Sequence, residues 1–253
     1  MRLIMCCQVL EGRDYADDLR YSAIAAEFWM RAYPDGEVYL ATNATADVPD
    51  NYPKSIKVMR FPFERLPSAA ARANFLAAYA ESPLFDRDTV FTGHDVLVQR
   101  PFPEVDAKVV TNYRYHPSQP YCSDLLIIKA EHKDYAAALL SEVFMRHRWM
   151  PKPILDGAAD QLSWALTFGV PENETFNGLP FYTPRRPDVL ALPVNEYLYT
   201  ANDAFPAEFV RFTGNASDNP ESFMYLAQKT ALHFKGNRKP DFFRYAEWFK
   251  STL

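Results

Sequence analysis

Near the end of the chain, a histidine, a glycine and several cations fall within residues 233–240, which read HFKGNRKP. Gly236 lets the backbone approach a ligand closely, and Lys239 offers a positive charge on a mobile side chain. A neutral imidazole at His233 can coordinate a divalent cation. These residue types suit a site for a diphosphate and its metal ion. For the segment taken alone, a solvated cationic loop before a helix is the alternative interpretation.

A second polar stretch, Gly93, His94 and Asp95, interrupts an apolar segment. The residues before it, 89–92, are typical of a short buried strand, and apolar residues resume at 96. In a mostly parallel sheet, ligands bind outside the carboxyl ends of the strands, which is where this triplet falls. We therefore expect Asp95 and His233 to share a metal ion, with His94 as a further imidazole nearby. The alternative for Asp95 is a turn-forming aspartate.

The elements that would position these residues alternate between strand and helix. Strands are predicted at 2–9, 37–41, 56–61, 89–92, 96–98, 108–111, 125–129 and 231–234. Helices are predicted from about 17, over 69–80, around 135–143 and 161–164, and from 240 onward. Residues 171–193, rich in Pro, Asn and Gly, are predicted to be a loop over the core. The alternation predicts an α/β protein with a mostly parallel central sheet flanked by helices.

Composition excludes several classes of protein. With 48% hydrophobic residues the chain can build a core, so intrinsic disorder is excluded. The net charge of −5 gives no basic excess, so we expect no nucleic acid as partner. The cysteines, Cys6, Cys7 and Cys122, form neither a disulfide framework nor a paired metal motif, and we interpret them as core residues. The first apolar run, 3–7, is too short for a signal peptide or a membrane span, so we expect a cytoplasmic protein.

Residues 233–240 fit the HxxGxxKP signature of the retaining glycosyltransferases of family 8, the glycogenin and lipopolysaccharide galactosyltransferase type, and nearly the whole chain resembles that family. Further similarities follow in the family's order: Asp14-Tyr15 after the first strand, Arg72 before the fourth, 90–98 at the Asp-x-Asp motif, 121–128 at an Asn-Ser-Gly strand, and Asp160-Gln161. The resemblance implies one domain, 1–253, with the GT-A (Rossmann-like) nucleotide-sugar fold. Residues 1–100 would form its nucleotide-binding half, and 101–253 an acceptor half that carries the C-terminal diphosphate-binding motif.

The resemblance also implies roles on the donor side of the reaction. Tyr15 would stack on the uracil of a UDP-sugar, and Arg72 would approach the donor sugar or the diphosphate. Asp95 and His233 would bind a divalent cation, Mn²⁺ or Mg²⁺, as in metal-assisted transfer.

Further roles concern the leaving group and the acceptor. Lys239 and the backbone of Gly236 would stabilise the charge that grows on the leaving diphosphate. Asp160 and Gln161 would position the acceptor and stabilise an oxocarbenium-like state, although a first-turn helix acid is the alternative for Asp160. The implied activity is transfer of a hexose, with retention, to a glycan, a lipid-linked sugar or a protein.

Several positions depart from the family's pattern. Gly93 stands where the family has the first aspartate of its motif, so one carboxylate is missing and weaker metal binding is expected. The literal Asp-x-Asp at 86–88 precedes its strand, and we expect it at the opposite end of the sheet. Asp124 stands near a family glycine and Cys122 replaces an asparagine, so contacts with the donor sugar or the acceptor are expected to differ.

Two other functions stay open. The glycine at 93 fits a degenerate relative that binds a nucleotide-sugar or a glycan without turnover. A sugar nucleotidyltransferase shares the α/β sheet, but its Gly-rich basic loop after the first strand is absent, because residues 9–15 hold one glycine. The aromatic last helix is predicted to pack on the core, with a partner or the membrane surface as the alternative; no oligomeric state is predicted. The tryptophans are predicted to lie in the core or at its rim: Trp29, Trp149, Trp164 and Trp248.

Overall fold

The structure is a computed structural model that describes residues 1–9, 15–63, 68–113, 121–150, 159–169, 186, 188–193, 197–201, 220–234 and 239–252. Its strands are β1 (Arg2–Cys7), β2 (Glu37–Asn43), β3 (Ile56–Phe61), β4 (Thr89–Gly93), β5 (Val96–Val98), β6 (Val109–Tyr113), β7 (Tyr121–Ile128), β8 (Val189–Pro193), β9 (Leu198–Ala201) and β10 (Ala231–Phe234). Its α-helices are α1 (Ala16–Ala32), α2 (Ser68–Glu81), α3 (Lys133–Arg148), α4 (Ala159–Phe168), α5 (Pro220–Leu226) and α6 (Lys239–Thr252).

Seven strands form the central sheet, in the order β3-β2-β1-β4-β7-β6-β8. Strands β3, β2, β1 and β4 run parallel to one another. Strand β7 is antiparallel to its neighbours β4 and β6, while β8 runs parallel to β6. A second sheet, β5-β10-β9, pairs β10 antiparallel to β5 and parallel to β9. The predicted fold class is therefore confirmed: an α/β protein with a mostly parallel sheet.

Strand β1 explains why the core has two parts. All its residues are buried, because it lies in the middle of the sheet, and successive side chains point to opposite faces. Leu3, Met5 and Cys7 join a cluster with α1, α6 and the second sheet. Ile4 and Cys6 join the other cluster, with α2, α3 and α4. The protein thus has helices on both faces of its sheet, and each fully buried large aliphatic side chain contributes about 1.5–3 kcal/mol.

Most predicted elements are confirmed to within a few residues. Of the predicted loop at 171–193, residues 171–185 lie outside the described residues, and the prediction is wrong at 189–193. Residues 189–193 form β8, which lies at the edge of the sheet and pairs parallel with β6. Its proline, Pro193, is the last residue of the strand, and an edge position tolerates the missing amide hydrogen. Strand β9 and helix α5 were not predicted.

The aromatic residues mostly pack as the sequence predicts. Trp29 and Trp164 are buried, one on each face of the sheet, and Trp248 packs against the cluster that holds Trp29. The prediction is wrong for Trp149, which is 78% exposed just after α3. Phe242 of α6 is completely buried, so that helix packs on the core. Among the described residues, no helix combines the length and the apolar character needed to cross a bilayer.

Candidate functional site

Two strand pairings bring the polar triplet and the C-terminal histidine together. Strand β1 runs parallel to β4 with Cys6 opposite Gly93, so both strands end at the same edge of the sheet. His94 and Asp95 form the turn between β4 and β5. Strand β10 then pairs antiparallel with β5, and this register sets His233 opposite Val96, next to Asp95.

An open pocket of about 310 Å³ lies at this edge. Four predicted site residues line it: Arg72, Asp95, His233 and Lys239. The other residues of its lining are Cys6, Gln8, Gly93, His94 and Asp124. The pocket thus lies outside the carboxyl ends of β1 and β4, where ligands of open α/β sheets bind.

Charged side chains in the pocket form a continuous chain. Lys239 Nζ lies 3.2 Å from Asp95 Oδ2, and Asp95 Oδ1 lies 3.4 Å from His233 Nε2. On the other side of the imidazole, His233 Nδ1 lies 3.3 Å from Asp124 Oδ2. Arg72 Nη1 donates a hydrogen bond of 2.6 Å to Asp124 Oδ1. Two carboxylates therefore hold two basic side chains and an imidazole in fixed positions around the pocket.

The Asp95 carboxylate is a permanent negative charge in this arrangement. Burial alone would raise the pKa of Asp95. The neighbouring His233 and His94, together with the ammonium of Lys239, outweigh burial and hold that pKa well below its usual range. Asp95 is consequently ionised at neutral pH and available to a cation.

A divalent cation fits the pair of Asp95 and His233. Asp95 Oδ1 and His233 Nε2 lie 3.4 Å apart, close to the roughly 3 Å that separates neighbouring ligands of one octahedral ion. A carboxylate oxygen with an imidazole nitrogen is a donor set that Mn²⁺ accepts. Asp124, beside the far ring nitrogen, occupies the place of the carboxylate that commonly orients a metal-binding histidine.

Gly93 leaves room for both carboxylates. A Cβ at this position would lie 2.8 Å from Asp95 Oδ1 and 3.3 Å from Asp124 Oδ1. The carboxylate of Asp124 therefore lies beside the position where the family resemblance leads one to expect an aspartate at 93. From the sequence, Asp124 was expected only to change the contacts with the donor sugar or the acceptor, and its pairing with Arg72 was missed. The available signal was a charged residue directly before the apolar residues of a predicted strand.

His94 belongs to a different set of contacts. Its Nε2 lies 2.9 Å from Asp18 Oδ1, at the start of α1. Burial by itself would lower the pKa of His94, but the charge of Asp95 and hydrogen bonds with Asp18 and Cys7 raise it well above its usual value. His94 is thus bonded to Asp18, while Asp95 faces His233 and Lys239.

The thiol of Cys6 is not poised for nucleophilic chemistry. Its side chain lines the pocket next to Arg72. Burial raises the pKa of Cys6 to about 11, and the nearby guanidinium only partly offsets this. The thiol is therefore protonated at neutral pH, whereas the reactive form of cysteine is the thiolate.

Tyr15 and the literal Asp-x-Asp motif lie away from these charges. Tyr15 is absent from the described lining of the pocket; its hydroxyl lies 2.9 Å from Thr42 Oγ1, and burial raises its pKa to about 12. Its stacking role stays a prediction. Asp86 pairs with Arg2 at 3.0 Å, and Asp88 accepts a hydrogen bond from the amide of Ala130. As predicted, the 86–88 segment lies at the amino ends of β1 and β4.

Three predicted residues cannot be related to the pocket. Gly236 lies outside the described residues. Asp160 and Gln161 lie in α4, and the structure describes only the backbone at these two positions. Their roles with the diphosphate and the acceptor stay predictions.

Neither a family model nor a curated protein matches the chain in sequence. Solved structures of glycosyltransferases do match it in fold. An active-site mutant of LgtC, a galactosyltransferase, is 13% identical over 100% of this chain and 97% of that chain, with a TM-score of 0.52. GlyE from Streptococcus pneumoniae TIGR4 is 10% identical over 100% and 63%, with a TM-score of 0.57. A glycosyltransferase involved in glycosylation of the PBCV-1 major capsid is 9% identical over 98% of each chain, with a TM-score of 0.53. The fold is therefore the GT-A glycosyltransferase fold that the sequence resemblance predicts.

Proposed function

We propose that this protein is a glycosyltransferase that moves a hexose from a UDP-sugar to a glycan, a lipid-linked sugar or a protein acceptor. The observation that carries the proposal is the pocket at the carboxyl edge of a GT-A sheet, where Asp95 lies between the imidazole of His233 and the ammonium of Lys239. A donor diphosphate needs positive charge, and the pocket offers Arg72 and Lys239, each beside a carboxylate, together with a pair of residues that could hold a cation. A cytoplasmic location and these classes of acceptor are also part of the proposal. They rest on the sequence and on its family resemblance.

In the proposed reaction, the bond between the anomeric carbon and the diphosphate oxygen breaks, and UDP leaves with the electron pair. The acceptor hydroxyl bonds to that carbon from the same face and gives its proton to the departing diphosphate oxygen, so the configuration is retained. Asp95 and His233 would hold a divalent cation, which would supply positive charge against the leaving diphosphate. The main contribution of the chain is electrostatic stabilisation of this charge rather than acid or base catalysis.

The protein's own cations act from fixed positions. Asp95 holds the ammonium of Lys239 at 3.2 Å, and Asp124 holds the guanidinium of Arg72 at 2.6 Å. Because both cations are positioned before the donor binds, little reorganisation is needed as charge develops. The carboxylate of Asp124 also lies 3.3 Å from Nδ1 of His233, on the side of the imidazole away from Asp95.

A second candidate is a protein that binds nucleotide-sugars without turnover. One observation favours it: Lys239 already neutralises one oxygen of the Asp95 carboxylate, and Gly93 adds no further carboxylate. A pocket whose positive charge comes from the chain itself can bind a diphosphate without a metal ion.

Thermal unfolding of the purified protein with UDP, UDP-sugars and GDP-mannose, each with and without Mn²⁺, tests the proposal. Ligand at 100 times its dissociation constant adds about 2.7 kcal/mol, which raises the unfolding temperature by several degrees. We expect the largest shift with a UDP-sugar and Mn²⁺ together. We also expect slow hydrolysis of the UDP-sugar, in which water replaces the acceptor and UDP is released. A shift that does not depend on Mn²⁺, without release of UDP, would favour the second candidate, a protein that binds nucleotide-sugars without turnover. Equal shifts with GDP-mannose, or none with any nucleotide, would refute the UDP-sugar assignment.

A further inference from the structure

A thiol, a carboxylate and an imidazole converge on the opposite face of β1 from Cys6. Cys7 is the last residue of β1, Asp18 lies in the first turn of α1, and His94 follows β4. The parallel pairing of β1 with β4 brings these residues together, since Cys6 lies opposite Gly93 and the residues that follow them, Cys7 and His94, are therefore neighbours.

The three groups are close and largely shielded from water. One ligand atom from each of Cys7, Asp18 and His94 lies within 4.8 Å of the other two. The closest pair is His94 Nε2 and Asp18 Oδ1, at 2.9 Å. Cys7 is 1% exposed, and the side chains of Asp18 and His94 are 4% and 15% exposed. The buried carboxylate of Asp18 is compensated by the His94 ring beside it, and a metal ion bound to both side chains would take over that compensation.

We propose that Cys7, Asp18 and His94 bind a transition-metal ion of the zinc class, separate from any ion held by Asp95 and His233. A thiolate, an imidazole and a carboxylate are the donors that zinc takes, at about 2.0–2.3 Å from the metal. Ligand atoms of such a tetrahedral site lie about 3.5 Å apart, so small side-chain movements would bring the three ligand atoms to these separations. Three protein ligands leave a fourth position for water, and His94 also lines the open pocket.

The sulfur of Cys7 distinguishes the proposed zinc ion from the cation proposed at Asp95 and His233. Soft thiolate ligands select zinc over Mn²⁺ or Mg²⁺, which prefer oxygen. The pair formed by Asp95 and His233 has no sulfur. A zinc ion here would cross-link β1, α1 and the turn that carries Asp95, and so hold that turn in place. The inference does not depend on the proposed transferase activity.

Cobalt is the probe for this site, because Co²⁺ bound to a thiolate has a near-ultraviolet charge-transfer band that oxygen and nitrogen ligands do not produce. We expect one equivalent of Co²⁺ to give this band with the metal-free, full-length protein. Zn²⁺ should abolish the band by competition, and Mn²⁺ should not, since Zn²⁺ is the stronger competitor for such ligands. A protein that shows no band in excess Co²⁺ would refute the proposal.

Neighbouring cysteines provide a matched pair of variants. Cys7→Ser should remove the charge-transfer band, whereas Cys6→Ser, one residue away on the other face of β1, should keep it. Asp18→Asn retains the thiol and should weaken Co²⁺ binding about tenfold or more, since even outer-shell carboxylates contribute that much. The far-ultraviolet circular dichroism of each metal-free variant reports whether it folds.

Further variants separate this inference from the donor site. Asp95→Asn should keep the cobalt band, even though it should lose any Mn²⁺-dependent stabilisation by UDP-sugars. A band that persists in Cys7→Ser, or that is lost in Cys6→Ser, would overturn the assignment. If no UDP-sugar stabilises the protein but the Cys7-dependent band appears, the transferase proposal fails and the metal site stands.

Discussion

Gly93 and Asp124 lie on different strands, β4 and β7, and the carboxylate of Asp124 limits the space for a side chain at position 93. The space that a side chain at 93 would need is bounded by the carboxylates of Asp95 and Asp124, at 2.8 and 3.3 Å from a Cβ. A glycine here therefore leaves space for both carboxylates, that of Asp95 most closely and that of Asp124 next, and the missing aspartate of the motif need not mean a missing charge in the pocket.

This relation predicts coupling between the two positions. Gly93→Asp should destabilise the protein by about 1–3 kcal/mol, because it overpacks a filled site and adds a third carboxylate. Adding Asp124→Gly should recover part of that loss, since it vacates the neighbouring space. Urea unfolding of both single variants and the double variant measures this, with an expected interaction free energy of about 0.5–3 kcal/mol in favour of the pair. Strictly additive effects would show that the two side chains do not compete.

The proposed role of Lys239 in diphosphate binding makes a second prediction at this scale. Lys239→Met should weaken stabilisation by UDP more than Lys239→Arg, because only the second keeps a cation beside Asp95. Thermal unfolding with UDP compares the variants. Arg20→Met, which removes an exposed cation of α1, is the control and should behave like the unsubstituted protein. Equal losses in Lys239→Met and Arg20→Met would argue against diphosphate binding at Lys239.

At the scale of elements, charge also holds the amino edge of the sheet together. The carboxylate of Glu37, on β2, lies 2.7 Å from Arg2 on β1 and 2.7 Å from Lys57 on β3. Hydrogen bonds from Lys57 and then Arg2 lower the pKa of Glu37 from 4.5 to about 2. Because the folded pKa lies below the unfolded one, this contribution to stability is complete above about pH 4.5 and is lost as the pH falls towards 2.

Glu37→Gln should therefore lower the free energy of unfolding at pH 7 by about 1.5–3 kcal/mol, the usual contribution of hydrogen bonds to charged groups. The difference between Glu37→Gln and the unsubstituted protein should shrink between pH 4.5 and pH 2.5. Urea unfolding across this range measures it. Glu104→Gln, at an exposed position, is the control, and an equal effect of that substitution would show that net charge rather than the ion pairs is responsible.

The elements also show what the sequence could and could not predict. Asp95, His233 and Lys239 were identified because each lies in a short polar stretch at the end of an apolar strand, a signal that is local in sequence. The pairing of Arg72 with Asp124 was missed because it joins α2 to β7, residues 52 apart that only the three-dimensional fold brings together. Strand β8 was missed because a strand at the sheet's edge needs few apolar residues, and its surrounding prolines favour a loop.

At the scale of the whole molecule, the pocket draws on widely separated parts of the chain. Its residues come from β1, α2, the end of β4, β7, β10 and the start of α6, so the amino-terminal and carboxyl-terminal halves both contribute. Trp29 lies in one core cluster and Trp164 in the cluster on the other face of the sheet. If the predicted single domain over 1–253 is correct, both clusters must unfold together.

Two variants with a single tryptophan each test this cooperativity. One keeps only Trp29, and the other keeps only Trp164. We expect tryptophan fluorescence and far-ultraviolet circular dichroism to give the same urea midpoint within each variant, as two-state unfolding requires. Saturating UDP-sugar with Mn²⁺ should raise both midpoints, since a ligand bound by both halves stabilises both. A Trp29 transition that moves with ligand while the Trp164 transition stays fixed would mean that the chain is two units and that one of them binds the donor alone.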